Sequence, residues 1–228
     1  MPSRKKSEME PKALVSDVMA PDYWDKACVA LMKQDRILRK LIPKYPKIEF
    51  LTTRGDPFQT LARAIVGQQI SVKAAQSVWE RVLLATKKVS RKFTAQAVLK
   101  LEMSDLRDAG LSFRKVEYIQ DLANHFVNGG LHCANWDQLD DDTVIAELTA
   151  IRGIGRWTAE MFLIFYLMRP DVLPLDDIGL INGISEAYFS KEPVSRSEAK
   201  EVAANWAPWR TVATWYMWRS MDPIPVEY

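Results

Sequence analysis

The sequence predicts an all-α fold. Apolar residues recur at helical spacing through most of the 228 residues, and glycines and prolines interrupt them at short intervals. No two neighbouring segments alternate apolar and polar residues as paired strands would. The helical pattern runs through Tyr23–Met32, Phe58–Val66, Val72–Leu84, Val116–Phe126, Val144–Ile151, Trp157–Met168 and Val212–Trp218. Pro43, Pro46, Gly55, Gly129, Gly130, Gly153, Gly155, Pro170, Pro174, Pro193 and Pro208 fall between these segments. Such punctuation gives about ten short to medium helices with short connections.

The elements follow in order. Residues 1–20 carry Arg4, Lys5 and Lys6, lack the apolar core of a signal peptide, and read as a loose tail ahead of a folded unit over 21–228. Asp56-Pro57 ahead of FQTLARAIVGQQ reads as a cap and a first-turn proline, with Phe58, Leu61 and Ile65 on one face. That helix ends near Gly67; Gln68 and Gln69 occupy a junction, and Ser71 caps the next helix. Ala109-Gly110-Leu111-Ser112 forms a second junction leading into Arg114 and Lys115. It reads first as a plain turn with a solvated basic face, and alternatively as a degenerate phosphate-binding hairpin. Pro174-Leu175-Asp176-Asp177 before Ile178, Leu180 and Ile181 reads as a further helix start.

With 48% hydrophobic and 26% charged residues, the chain has the composition of a globular protein that builds its own core. Cys28 and Cys133 stand far apart with no ligand spacing, which argues against a zinc site, an iron–sulfur cluster or a disulfide scaffold and fits a reducing, cytoplasmic setting. His125 and His132 have no partners in a ligand pattern either. No apolar run reaches the roughly 18 residues of a membrane span. The net charge of +2, from 31 basic and 29 acidic side chains, names no polyanionic partner, because phosphate binding depends on where cations cluster.

The most informative stretch is LTAIRGIGRWTAEM, Leu148 to Met161, with Gly153 and Gly155 between two helical patterns. A tight Gly-x-Gly turn brings backbone N–H groups to the surface at a helix N-terminus, where they can hold a phosphate whatever the base sequence. It is no dinucleotide fingerprint, since no third glycine follows at the required place and no strand precedes it. A bare Gly-x-Gly is more often a structural turn. Arg152, Ile154 and Arg156 around the glycines, followed by Trp157-Thr158-Ala159 opening an apolar helix, shift the balance toward DNA binding.

The segments DPFQTLARAIVGQQISVKAA, AGLSFRKVEYI, GIGRWTAEMF, LPLDDIGL and WAPWR follow one another between about Asp56 and Trp218. In this order and spacing the chain resembles the helix-hairpin-helix DNA glycosylase superfamily and, within it, the 3-methyladenine DNA glycosylase II family. The resemblance implies two helical lobes with an active-site cleft between them, and a monomeric base-excision repair enzyme acting on double-stranded DNA that contains alkylated bases. It aligns Asp177, twenty positions after Trp157, with the catalytic aspartate. Bifunctional members carry a nucleophilic lysine two residues after the second hairpin glycine; Trp157 stands there, so no lyase activity is implied. Arg152-Gly153 replaces the more familiar Pro-Gly, and the residues before Asp56 are too few for the β-rich domain of the larger relatives.

Within the same resemblance, Trp157 and Trp218 match aromatic base-pocket positions, and Met161 stands where a relative has tyrosine. Gln69, with Ile70 beside it, matches the wedge that fills the gap left by a flipped base; two polar residues merely ending a helix is an equal alternative. Trp206, Trp209 and Trp215 are assigned to packing. No cofactor is required, and a structural sodium or potassium ion at the hairpin carbonyls is an option the superfamily brings.

The chemistry suits these residues. Cleaving an N-glycosidic bond builds positive charge on the deoxyribose, which a nearby carboxylate stabilises, and Asp177 is the candidate. Asp176 is its neighbour and rival, expected to cap the helix while Asp177 serves the reaction. Two other functions stay open at this level: a non-catalytic DNA-binding module using the same hairpin, and a glycosylase for oxidised or deaminated bases.

Overall fold

The computed structural model describes residues 21–45, 56–129, 131 and 133–221; the tail read over residues 1–20, and His132, lie outside them. Among the described residues the regular elements are helical. They are α1 (Trp24–Gln34), α2 (Arg36–Leu41), α3 (Pro57–Gly67), α4 (Val72–Thr86), α5 (Ala95–Val98), α6 (Met103–Asp108), α7 (Phe113–Val127), α8 (Asp141–Thr149), α9 (Arg156–Phe165), α10 (Ile178–Tyr188), α11 (Arg196–Ala204) and α12 (Arg210–Met221). Short 3-10 turns at Ile42–Lys44 and Cys133–Gln138 supplement them. No described helix is long and apolar enough to cross a membrane.

The seven periodic segments appear as α1, α3, α4, α7, α8, α9 and α12. The two expected caps are present, with Asp56 accepting from the Gln59 amide and Ser71 from Ala74, and Ser112, read only as part of a junction, caps α7 by accepting from Lys115. The pattern through Met168 overshoots, because α9 ends at Phe165 and Met168 takes a left-handed φ of 53°. The amides of Leu167 and Arg169 turn back onto the carbonyls of Phe162 and Leu163, which closes the helix end. Four helices lack a visible pattern. α2, α5 and α6 have 6, 4 and 6 residues, too few for a period to show. α11, RSEAKEVAA, buries only alanines at 199 and 203, so no bulky residue marks its inner face.

Two groups of helices make the lobes. In one, α3 packs against α4, α7 and α9, with α5 and α6 against α7. In the other, α1 and α2 from early in the chain pack on α12, which also packs on α10, and α11 packs on α10. α8 and α9 pair as an antiparallel hairpin whose second helix reaches α3. A continuous core joins the lobes and contains fully buried Trp24, Trp136 and Trp206.

A polar network fixes the second lobe. Asp35 caps α2 by accepting from the amides of Ile37 and Leu38, and its other oxygen accepts the Tyr188 hydroxyl at 2.8 Å. The Trp206 indole N–H donates to that hydroxyl at 3.3 Å, and burial pushes the Tyr188 phenol far up from its ordinary value. Trp206 and Trp215 pack in the core as assigned, and half-buried Trp209 stacks on Tyr23 with centroids 5.9 Å apart. α10 and α12 approach closely at Gly183. A Cβ added at Gly183 would lie 3.0 Å from the Met217 Cβ and 3.1 Å from its carbonyl oxygen.

Gly183→Val is therefore expected to destabilise the protein by about 2–3 kcal/mol in chemical denaturation, because the obstacle is backbone that cannot turn aside. Gly67→Ala, whose new Cβ meets only Ala75 at 3.8 Å, should change stability by less than about 1 kcal/mol.

Candidate active site

Asp177 sits where α9, α10 and α12 converge. It is the N-cap of α10 and its Oδ1 accepts the Leu180 amide at 2.7 Å. The same oxygen accepts the Trp218 indole N–H at 2.7 Å, while Oδ2 accepts the Trp157 indole N–H at 3.0 Å. An ionised carboxylate has about four acceptor positions, so three donors leave one position on Oδ2 for a ligand. Only 7% of the residue is exposed. The expected division of labour between the two aspartates is corrected here: Asp177 is itself the cap, and half-exposed Asp176 pairs with Arg196 at 2.7 Å. An aspartate one residue before a helix can reach its N3 amide, and Asp176 stands one position too early.

Packing decides how the two tryptophans present themselves. Trp218 is 6% exposed and stacks on Phe165, with centroids 5.8 Å apart and planes 10° apart. Its clearest local action is to hold Asp177. Trp157, in the first turn of α9, is half-buried and retains accessible surface. Met161 is 2% exposed and belongs to the core, so without DNA it presents almost no surface to an incoming base. Gly179 is a site residue with no signal in a single-residue reading. A Cβ there would lie 3.1 Å from Asp177 Oδ1 and 3.2 Å from Trp218 Cδ1, so glycine lets the indole reach the carboxylate. The legible sign was a pair of glycines one helical turn apart, Gly179 and Gly183, on the face of α10 that meets α12.

The hairpin between α8 and α9 is built as its glycines suggest. Gly153 adopts φ 85°, and a Cβ on it would fall 2.2 Å from the Tyr118 ring. Ile154 is buried at 4% exposure and its amide donates to the Ile151 carbonyl, which anchors the turn from inside. Gly155 is the N-cap of α9 without a side-chain cap, whereas α3, α4, α7, α8, α10 and α11 are closed by Asp or Ser side chains. Its first-turn amides therefore lack a competing side-chain acceptor at the cap. Arg152 is drawn to α7, with its amide on Asp121 at 3.0 Å and its guanidinium 3.4 Å from Glu117. Arg156 is exposed beside the turn.

The α3–α4 junction docks onto this hairpin. Gln68 Nε2 donates to the Gly153 carbonyl at 2.9 Å, and Lys115 Nζ, from the second junction, donates to the carbonyls of Val66 and Gln68 at 2.8 and 2.7 Å. Lys115 thus neutralises the C-terminal end of α3, with its pKa lowered by burial. Gln69 follows at a left-handed φ of 59°, and Ile70 is 41% exposed. Phe113, at the start of α7, is 57% exposed. Gln68, Gln69, Ser112, Arg114, Tyr118 and the hairpin glycines line an open cleft of about 400 Å³. The cleft is polar and does not include Asp177, so the cleft and the carboxylate are separate parts of the site.

Gly153→Ala is expected to lower the melting temperature and to weaken duplex DNA binding together, since both the φ and the Tyr118 contact oppose it. Gly155→Ala separates the two effects. Its Cβ meets nothing within 4 Å, so stability should be retained while DNA affinity falls by roughly tenfold, as measured by fluorescence anisotropy.

Comparison with known proteins agrees with this geometry. Residues 62–208 match the family model described as HhH-GPD superfamily base excision DNA repair protein. DNA-3-methyladenine glycosylase 1 of Schizosaccharomyces pombe is 31% identical over 171 residues, covering 73% of each chain. Among solved structures, a DNA-3-methyladenine glycosidase from Bacillus halodurans superposes with a TM-score of 0.76 at 35% identity, over 85% of this chain and 88% of that one. The S. pombe 3-methyladenine DNA glycosylase in complex with abasic DNA gives 0.74 at 30% identity, over 86% of this chain and 96% of that one. With its family model matched over more than half its length and a relative of known structure superposing over most of the chain, the chain belongs to the HhH-GPD superfamily of base excision DNA repair proteins.

Proposed function

We propose that this protein is a monofunctional DNA glycosylase that takes an alkylated purine out of double-stranded DNA and hydrolyses its N-glycosidic bond. The observation that supports this most is the environment of Asp177: a nearly buried carboxylate with three N–H donors and one acceptor position left. That position suits a cationic deoxyribose or the water that attacks it. Rigid donors from three helices fix the charge in place before the reaction, so little reorganisation is needed as positive charge develops. A purine alkylated at N3 or N7 is already cationic and leaves without protonation. An electron-rich indole such as Trp157 then suits recognition of its charge.

The hairpin supports the DNA part of the reading. α9 offers uncapped amides at Gly155 for a backbone phosphate, and Gln69 and Ile70 stand exposed across the cleft for insertion into the base stack. The S. pombe neighbour in complex with abasic DNA supports DNA as the substrate class here as well. Trp157, in the position of the lyase lysine, has its N–H bound to Asp177 and offers no amine for a Schiff base. A sodium or potassium ion at the hairpin carbonyls is a structural adjunct to this proposal. The Gly153 carbonyl accepts from Gln68 and keeps a second lone pair, so an ion fits there only as a shared partner. We place the enzyme with the DNA of its cell, acting as a monomer.

Asp177→Asn is the decisive variant, since asparagine is an equally good helix cap but sets an N–H against one indole donor. On methylated duplex DNA, the wild type should release 3-methyladenine and 7-methylguanine, resolved by chromatography, with strand breaks appearing only after alkali. Asp177→Asn should release them at least about 100-fold more slowly while still binding DNA. Binding without release by the wild type would favour the non-catalytic module, and breaks without alkali would favour a lyase.

A further inference from the structure

One buried carboxyl in α9 has no place in the reaction just described. Glu160 is 5% exposed; its Oε1 accepts the Arg156 Nε–H at 2.9 Å, and its Oε2 is buried with no hydrogen-bond partner. Burial pushes its carboxyl above the usual range, Arg156 opposes the shift, and Asp176 and Asp177 add to it. A half-satisfied buried acid is unfavourable for the fold, and an apolar side chain would pack there without that penalty. Such a group in a native structure calls for an explanation.

The other end of the pair indicates the use. Arg156 is the first residue of α9, directly after Gly155, and its side chain is 59% exposed. Asp142, its other ionic neighbour among the described residues, lies 3.8 Å away and is 90% exposed, so solvent weakens that attraction. The guanidinium is a planar fork with five donors in fixed directions, and anchoring it by Nε aims the rest. Anchoring also removes rotamers that would otherwise be lost on binding.

We propose that Glu160 is a positioning residue of the DNA grip: its buried carboxylate holds Arg156 by Nε, so that the remaining guanidinium donors meet the same phosphate as the first-turn amides of α9. The charge of Glu160 is what the position supplies, because a neutral acceptor holds the guanidinium less firmly. This rests on the hairpin being a phosphate site.

The test measures binding of a labelled duplex containing a stable abasic-site analogue, by fluorescence anisotropy over a series of salt concentrations. Wild type, Glu160→Gln, Arg156→Gln and the double variant are compared. Glu160→Gln, which keeps shape and an acceptor but removes charge, should weaken binding about threefold to tenfold. Arg156→Gln should weaken it at least as much and reduce the salt slope by about one. The double variant should be no weaker than Arg156→Gln, since Glu160 acts only through Arg156. Should Glu160→Gln fail to fold, Glu160→Asp, with a shorter reach, is judged by the same standard. Wild-type affinity and salt slope in the folded Glu160 variant overturn the inference, as does multiplication of the two single losses in the double variant. A lower melting temperature with unchanged affinity is the mark of a merely structural Glu160 and overturns it too. If the wild type itself does not bind the duplex, the DNA reading of the hairpin is what fails.

Discussion

Charge inside a protein must be met by donors, and at Asp177 the donors come from three helices at once. The carboxylate closes the N-terminus of α10 through Leu180, while Trp157 of α9 and Trp218 of α12 bring indole N–H groups to its two oxygens. Loss of the Trp157 donor would leave Oδ2 without a partner, and loss of either other donor would leave Oδ1 with one; an unsatisfied buried acceptor typically costs about 1–3 kcal/mol, more for a charged group. Local helix capping and long-range packing therefore constrain each other at this point. This carboxylate is a keystone of the fold, and that is why it can be held without slack.

The surrounding helices are shaped to allow this convergence. Gly179 and Gly183 on one face of α10 remove the side chains that would hold α12 away. Trp218 then reaches Asp177 edge-on, with its face covered by Phe165. On the far side of the lobe, Asp35, Tyr188 and Trp206 tie α2 to the end of α10, so residues 153 positions apart share one hydrogen bond. A helix held at both ends cannot easily tilt, which fixes the direction from which Asp177 meets a ligand.

The hairpin surface obeys the same economy of parts. Gly153 lets the hairpin turn against Tyr118, Ile154 roots it in the core, and Gly155 opens the helix start without a cap of its own. Gln68 binds the α3–α4 junction to the hairpin and Lys115 binds the same junction to α7, so that the exposed Gln69 and Ile70 keep a fixed distance from the turn. The basic junction at Ser112, read from sequence as a solvated face or a phosphate site, spends one of its cations on the carbonyls of α3. Trp157 in α9 connects the two halves, since it begins the helix that the hairpin opens and ends on the carboxylate.

The sequence by itself determined what depends on residues within a turn or two of one another. Seven helices, the caps at Asp56 and Ser71, the Gly153–Gly155 turn, and the spacing of Trp157 from Asp177 are all local or fixed by order along the chain. Helices of 4 to 6 residues stayed hidden because a 3.6-residue period needs several turns to show. Only the tertiary structure decided between adjacent Asp177 and Asp176, sending one to three buried donors and the other to Arg196 at the surface. It likewise buried Met161, stacked Trp218 behind the carboxylate, turned Lys115 onto α3 and left Glu160 with an unpartnered oxygen. Periodicity says which face of a helix is buried; what that face touches depends on where helices distant in sequence are packed, and at this site that sets the chemistry.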